Sequence, residues 1–301
     1  MKEKCGMILI NKDSEMTSHD CVNIVRRSFN MKRVGHTGTL DPMATGLLPI
    51  CIGKATKLAE FMGDYPKEYR AGILFGMTTD TLDITGEVLS QNEFNSSKEE
   101  IVSAINSFLG ESMQVPPMYS AKKINGKKLY ELAREGKEAE RKPCRIEISK
   151  IDIEEINTEE KSARILVKCS KGTYIRSLID DIGKKLKCGA VMTSLERTAC
   201  GGFSIDYDCV CSISELKEMP DKAAEKIISA EEILREYPSM ILEESDEKKF
   251  KNGMRLKFKG LSENDIYTVF GKSGELLALG KVFRDTDGKP GLGVLKSFYG
   301  E

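Results

Sequence analysis

Glycine, proline and polar residues crowd together at residues 33–57 of this 301-residue sequence, and Asp41 stands among them, followed directly by Pro42. Such a stretch suits neither helix nor strand and predicts a loop. Gly35, Gly38 and Gly46 permit backbone angles that other residues resist, and Pro42 pushes Asp41 towards an extended conformation, so the chain itself partly sets the direction of the carboxylate. A carboxylate held in this way can assist a reaction covalently, as a nucleophile, or electrostatically. The plainer alternative is a tight connection in which Asp41 organises only its own turn. His36 lies five residues earlier and offers stacking or a hydrogen bond, or is simply part of the local structure.

Other chemistries find little support. No Gly-x-Gly-x-x-Gly follows a strand-like run, and Gly53-Lys54 alone is not a phosphate-binding loop. The nine cysteines are scattered without a Cys-x-x-Cys pair, Cys209-x-Cys211 being the nearest approach, and there are only two histidines. No metal and no cofactor are therefore expected, and the cysteines read as reduced, small hydrophobes. A glycosidase-like hydrolase would need a second loop carboxylate placed as its acid, and none is evident.

The string Gly35-His36-Thr37-Gly38-Thr39-Leu40-Asp41-Pro42, with Ala44-Thr45-Gly46-Leu47-Leu48 after it, resembles the catalytic motif of the bacterial tRNA pseudouridine-55 synthases. These are one branch of the pseudouridine synthase superfamily. Further segments resemble the same family in the same order: Lys67-Glu68-Tyr69, Pro116-Pro117-Met118-Tyr119-Ser120-Ala121-Lys122, Gly172-Thr173-Tyr174-Ile175-Arg176, and Leu195-Glu196-Arg197-Thr198 with Gly201-Gly202-Phe203. The resemblance implies that Asp41 is the nucleophile that isomerises a uridine in the T-loop of tRNA. It implies also that Arg176 pairs with Asp41, that Tyr69 lies against the target base, and that Leu195 is the apolar residue beside the site.

Physical chemistry supports those roles. A carboxylate in a pocket dry enough for a uracil tends to protonate, whereas a guanidinium stays charged and can hold it through two parallel hydrogen bonds. Tyr69 is expected to pack on the uracil and to take part in proton transfer at C5. The target base is stacked within folded RNA and must be turned out, and His36 is expected to fill the gap it leaves. Tyr174 is expected to line the pocket, and Lys12, Lys122 and Lys123 to neutralise phosphates, which makes binding fall with salt. Substrate and product are isomers, in keeping with the absence of a redox or nucleotide cofactor.

The elements that must position these residues can be read in outline. Residues 6–11 form an apolar run consistent with a strand, and Thr17 with Asp20 suits a capped helix to about residue 29. The turn between them, Lys12-Asp13-Ser14-Glu15-Met16, lacks the proline and glycine usual in the family. Residues 47–52 are an apolar run, 56–62 look helical, and Tyr69, Ala71, Ile73 and Phe75 alternate as one face of a strand. In the polar loop 78–86, Asp80 and Asp83 are turn formers that could also meet a base edge or a basic side chain. Ser97 and Glu100 form a capping box for a helix to Leu109, stopped by Gly110; Asn125-Gly126 marks a turn. Strand-like alternation at 145–156 and 163–170 breaks between Ile148 and Ile151, which predicts a bulge. A helix is expected to run from the Arg176 segment to about Leu186, and others over 212–219 and 223–235.

The fold class expected is α+β, a pseudouridine synthase catalytic domain with a central, mostly antiparallel sheet. It would span 1–236, with an RNA-gripping insertion near 100–145. Residues 239–301, with short apolar runs at 267–270, 275–279 and 294–298, resemble a small PUA-like β-barrel that binds RNA. The formal net charge is −1, but basic residues gather at 122–145 and 248–259, as a phosphate-tracking surface would require. No apolar run reaches the ~20 residues of a membrane span and the charged amino terminus lacks an apolar core, so a cytoplasmic location is expected. The partner expected is the tRNA T-arm, and a monomer suffices. Two alternatives stay open: an RNA-binding or tRNA-folding protein in which catalysis is secondary, and a guide-dependent synthase acting on rRNA.

Overall fold

The structure, a computed structural model, describes residues 5–124, 126–284 and 288–300, the side chains of Lys123, Ile124 and Lys128 excepted. Met1 to Lys4, Asn125 of the expected turn and the phosphate role of the Lys123 side chain lie outside the described residues.

Strand β1 (Gly6–Lys12) leads into α1 (Ser18–Ser28). The helix begins where the sequence predicts: Thr17 Oγ1 accepts from Asp20 N at 3.1 Å, and the Asp20 carboxylate accepts from Thr17 N at 2.9 Å. The short β2 (Val34–His36) and β3 (Thr45–Ile52) flank the Asp41 loop. A 3₁₀ turn (Gly53–Leu58) and α2 (Ala59–Gly63) carry the chain to β4 (Lys67–Phe75). A hairpin of β5 (Met77–Thr79) and β6 (Val88–Gln91) encloses the polar loop with Asp80 and Asp83. Helix α3 (Lys98–Asn106) has the expected capping box but ends three residues early, because Ser107 caps it and a turn through Phe108 and Leu109 precedes β7 (Gly110–Gln114).

The hairpin β8 (Lys123–Ile124) and β9 (Lys127–Lys128) with α4 (Leu129–Arg134) stands apart from the main sheet. Then come β10 (Cys144–Asn157) and β11 (Ser162–Cys169), whose register shifts between Ile148 and Lys150, where a bulge was expected. Helix α5 (Ile175–Lys185) and β12 (Ala190–Cys200) complete the framework around the site.

Residues 203–233 form β13 (Phe203–Ser204), β14 (Val210–Ser212), α6 (Ile213–Glu218), α7 (Pro220–Glu225), β15 (Ile228–Ser229) and α8 (Ala230–Ile233). The single helix expected over 223–235 is thus two, because Ile228 and Ser229 pair with Met7 and Gly6 at the sheet edge and Ser229 then caps α8. Tertiary pairing has overridden local helical preference here.

The main sheet has the order β14-β1-β3-β12-β4-β11-β10-β7 and is mostly antiparallel, with β1·β14 and β3·β12 parallel. Ile8 and Ile10 of β1 face a core shared with α1, α3 and α5, while Met7 and Leu9 face a second core. Burial on both faces explains why β1 reads as a continuous apolar run. The last part of the chain is a four-stranded sheet of β16 (Ser239–Ile241), β17 (Ile266–Phe270), β18 (Leu276–Arg284) and β19 (Pro290–Ser297), with α9 (Glu244–Lys251) beside it. It has its own core around Phe250, Val269 and Leu292, and it lends Leu279 and Phe298 to the second core of the main body. Lys57 Nζ donates to Ser297 O at 2.7 Å across that junction.

Candidate active site

Several bonds fix the loop that carries Asp41. Leu40 N donates to Ser18 Oγ at 2.8 Å, Ala44 N to Asp41 O at 3.0 Å, and Glu15 N to Pro42 O at 2.9 Å. Gly46 has a φ of +99°, and a Cβ there would stand 2.5 Å from the carbonyl oxygen of Arg197. Only glycine lets β3 pass so close to β12 at this point.

Lys12 belongs to the same framework, which corrects its expected role. It is fully buried, and its ammonium donates to the carbonyls of Asp13 at 2.8 Å, Met16 at 2.7 Å and Pro42 at 3.1 Å. All three donors are spent on backbone. Lys12 therefore ties the unusual turn at 13–16 to the Asp41 loop and presents no charge to a phosphate. Burial lowers its pKa, and nearby carboxylates, Asp41 among them, oppose that shift.

Arg176, in the first turn of α5, meets Asp41 as the sequence predicts. Its Nε donates to Asp41 Oδ2 at 2.9 Å and its Nη2 to Oδ1 at 3.1 Å, a two-point pairing that sets the plane of the carboxylate. The Arg176 side chain is 5% exposed, whereas the Asp41 side chain keeps 33% of its surface open. Arg176 also donates to Thr81 O at 2.9 Å and Tyr119 O at 2.8 Å, and Asp83 Oδ2 lies 3.8 Å from its Nε. Asp83 is itself buried and held by the hydroxyls of Thr81 and Thr85 at 2.8 and 2.6 Å. Arg176 thus joins three chain segments: the Asp41 loop, the loop between β5 and β6, and the Pro-Pro segment. Asp80 instead accepts from the Tyr119 hydroxyl at 3.1 Å.

Tyr174 immediately precedes α5. Gln114, at the end of β7, holds it from both sides, donating to Tyr174 O at 3.1 Å and accepting from Tyr174 N at 2.8 Å. These elements enclose a cavity of about 440 Å³, within the range of small-ligand sites. Asp41, Tyr69, Lys122, Tyr174, Arg176 and Leu195 all line it. Tyr69 is partly buried at the start of the buried face of β4; burial raises its hydroxyl pKa, and Arg197 beside it pulls the other way. Lys122 Nζ lies 2.8 Å from Cys144 Sγ.

His36 lies elsewhere, on β2, and is not part of the lining. Burial and then Arg197 lower its pKa, and its Nδ1 is buried without a hydrogen-bond partner. The imidazole is therefore neutral at pH 7. The basic stretch at 248–259 is partly neutralised by its own helix, where Lys249 meets Asp246 at 2.9 Å and Lys251 meets Glu247 at 2.5 Å. Among the described residues no cluster of histidine, cysteine and carboxylate side chains could hold a metal ion, and no helix is long and apolar enough to cross a membrane.

Among the lining residues without a role in the sequence reading are four polar or charged ones, Thr37, Lys67, Ser120 and Arg197. Each sits inside one of the recognisable motifs, which was the one available signal. The arrangement offers an oriented carboxylate, an aromatic hydroxyl, an apolar wall and several cations around a nucleoside-sized space.

The profile described as the N-terminal domain of the TruB family pseudouridylate synthases matches residues 26–175, and that of the tRNA pseudouridylate synthase B C-terminal domain matches 176–238. The tRNA pseudouridine synthase B of Alkaliphilus oremlandii is 48% identical over 251 residues, covering 83% of this chain and 82% of that protein. The Clostridium tetani protein of the same name is 44% identical over 281 residues, covering 92% and 95%. A crystal structure of a Cbf5-Nop10-Gar1 complex contains a chain similar in fold, with a TM-score of 0.72 and 24% identity over 98% of this chain and 85% of that one. The two matched domains, together with relatives this similar over most of its length, show that the chain belongs to the TruB family of pseudouridylate synthases.

Proposed function

We propose that this chain is a tRNA pseudouridine synthase that isomerises uridine 55 in the T-loop. The observation that carries the assignment is the two-point hold of Arg176 on Asp41, whose carboxylate stays accessible from a cavity large enough for a nucleoside. In the reaction the bond from ribose C1′ to N1 breaks, the uracil turns, and C5 joins C1′; C5 loses a proton and N1 gains one. Asp41 serves as nucleophile, Arg176 fixes its direction, and Tyr69 packs on the base and takes part in removing the C5 proton. Tyr174 and Leu195 enclose the turned-out uracil.

His36, neutral and without a partner on Nδ1, is suited to meeting the RNA that the base leaves behind. Lys122 contacts a phosphate, and the T-arm is the part of the tRNA gripped, with the segment at 100–145 closing over it. The catalytic domain spans 1–236, and 239–301 is a PUA-like RNA-binding unit. The protein acts as a cytoplasmic monomer. Expressing the chain in bacteria whose tRNA lacks this modification and mapping pseudouridine along the tRNA tests the assignment. Pseudouridine at position 55 supports it; modification only elsewhere, or none from a folded protein, contradicts it.

A further inference from the structure

A buried cation with no counter-charge stands in the wall of the same cavity. Arg197 is 1% exposed, and among the described residues no carboxylate lies within ion-pairing distance of it. Its Nε donates to Leu47 O at 2.7 Å and its Nη2 to Gly38 O at 3.4 Å. The neighbouring Tyr69 hydroxyl also hydrogen-bonds it, so each of these partners of the guanidinium is neutral. Its position is set by the sheet: Arg197 is opposite Tyr69 in the β12·β4 register and opposite Gly46 in the β12·β3 register. Burial lowers the pKa of both His36 and Lys67, and the Arg197 charge beside them adds to that lowering. Leaving a charge unpaired in a protein interior is costly, and a ligand that brings negative charge to it recovers that cost.

We propose that Arg197 is a catalytic residue that hydrogen-bonds an oxygen of the uracil and stabilises the negative charge the base carries while detached from the ribose. This rests on the isomerase assignment above. When the C1′–N1 bond breaks, its electron pair stays on N1 and spreads to O2 and O4, while C1′ bonds to an Asp41 oxygen or C2′ gives a proton to that carboxylate. When C5 then bonds to C1′, the base's pair enters the new bond and the carboxylate is restored, either as its bond to C1′ breaks with the pair returning to oxygen or as its proton goes back to C2′; the C5 proton then leaves and N1 gains one. The charge on the base therefore exists only between the two bonds, and a fixed cation stabilises it without reorganising. Arg176 is poorly suited to this task, because it already serves Asp41 and Asp83. A phosphate is the less fitting occupant, because Leu195 and Tyr69 share this part of the wall and offer an apolar and an aromatic surface.

The test uses the full chain, wild type, Arg197→Gln and Arg197→Lys, and T-arm RNAs with uridine or 5-fluorouridine at the target. Fluorine at C5 stabilises a detached uracil anion, so a protein that lacks its own stabilising cation gains most from it. Disappearance of the target nucleoside is followed in single turnovers, with RNA affinity and thermal unfolding measured in parallel. Arg197→Gln should slow uridine consumption by roughly 10²–10³-fold, with RNA affinity unchanged and a loss on 5-fluorouridine at least about tenfold smaller. Arg197→Lys, which keeps the charge, should recover part of the rate and provides the kinetic test if the glutamine variant does not fold. Equal losses on both RNAs, or a loss explained by weaker RNA binding, would overturn the proposal and leave Arg197 a structural or phosphate-binding residue. A wild type that consumes neither RNA would overturn the isomerase assignment itself, and this proposal with it.

Discussion

Of two deeply buried guanidiniums that line the cavity, Arg176 stands between two carboxylates, Asp41 at 2.9 and 3.1 Å and Asp83 at 3.8 Å, whereas Arg197 has carbonyl and hydroxyl partners and, among the described residues, no carboxylate partner. The balanced cation fixes geometry. It and its carboxylates hold one another, and three chain segments converge on a single guanidinium. The unbalanced cation keeps a field that acts on its surroundings, adding to burial, the larger cause, in lowering the pKa of His36 and Lys67. The site thus separates the two uses of a buried cation, holding a reactive group and meeting charge that a substrate develops.

Substitutions at the balanced pair, followed by the tyrosine beside Arg197, should have the largest effects. Asp41→Ala removes the nucleophile, and single-turnover kinetics should show at least a ~10⁴-fold loss with RNA affinity retained. Arg176→Ala leaves two carboxylates beside an uncompensated hole. It should cost about 3–5 kcal/mol of stability in a denaturant titration, besides most of the activity. A variant that melts like the wild type would mean that the three segments do not depend on this guanidinium. Tyr69→Phe keeps the ring and removes the hydroxyl; a ~10²-fold loss of rate is expected if that oxygen serves proton transfer, and no loss would leave packing alone.

Smaller effects separate the lysines. Lys122→Ala should reduce the slope of log affinity against log salt by about one, the signature of one lost phosphate contact. Lys12→Met should leave that slope unchanged and lower stability by roughly 1.5–3 kcal/mol as its carbonyl partners lose a charged donor. The smallest expected effect concerns pH. His36 has a folded pKa below its ordinary value of 6.5, so the unfolded chain binds the proton more readily. Stability should therefore fall as pH drops through 6.5 and level off below the folded value. Urea titrations between about pH 8 and pH 5 should show part of that slope missing in His36→Gln.

Residues that share a short string could be placed from the sequence. Asp41 lies in a loop of unusual composition, Tyr69 and Arg176 in short strings that resemble the family's motifs, and all three line the cavity. The caps at Thr17 and Ser97 and the bulge after Ile148 were legible because local hydrogen bonding and side-chain period decide them. Lys12 was misread because a lysine is ordinarily solvated; the carbonyl of Pro42 that it serves is 30 residues away. Arg197 was assigned no role for a similar reason, its acceptors being 150 and 159 residues distant in sequence. The break at Lys226 and Ile227, where one helix was expected, arises from pairing with β1 at the far end of the chain. Local pattern finds the reactive residues, and non-local backbone acceptors decide which buried cations serve the framework.

The most direct measurement is release of tritium from C5-labelled uridine in a T-arm transcript, with wild type and Asp41→Ala compared without added metal or cofactor. The account predicts release by the wild type and none above background from the variant, while both bind the RNA. Release by the variant at the wild-type rate would remove Asp41 from the chemistry. No release by either protein, with RNA binding intact, would mean that the chain binds this RNA without isomerising it.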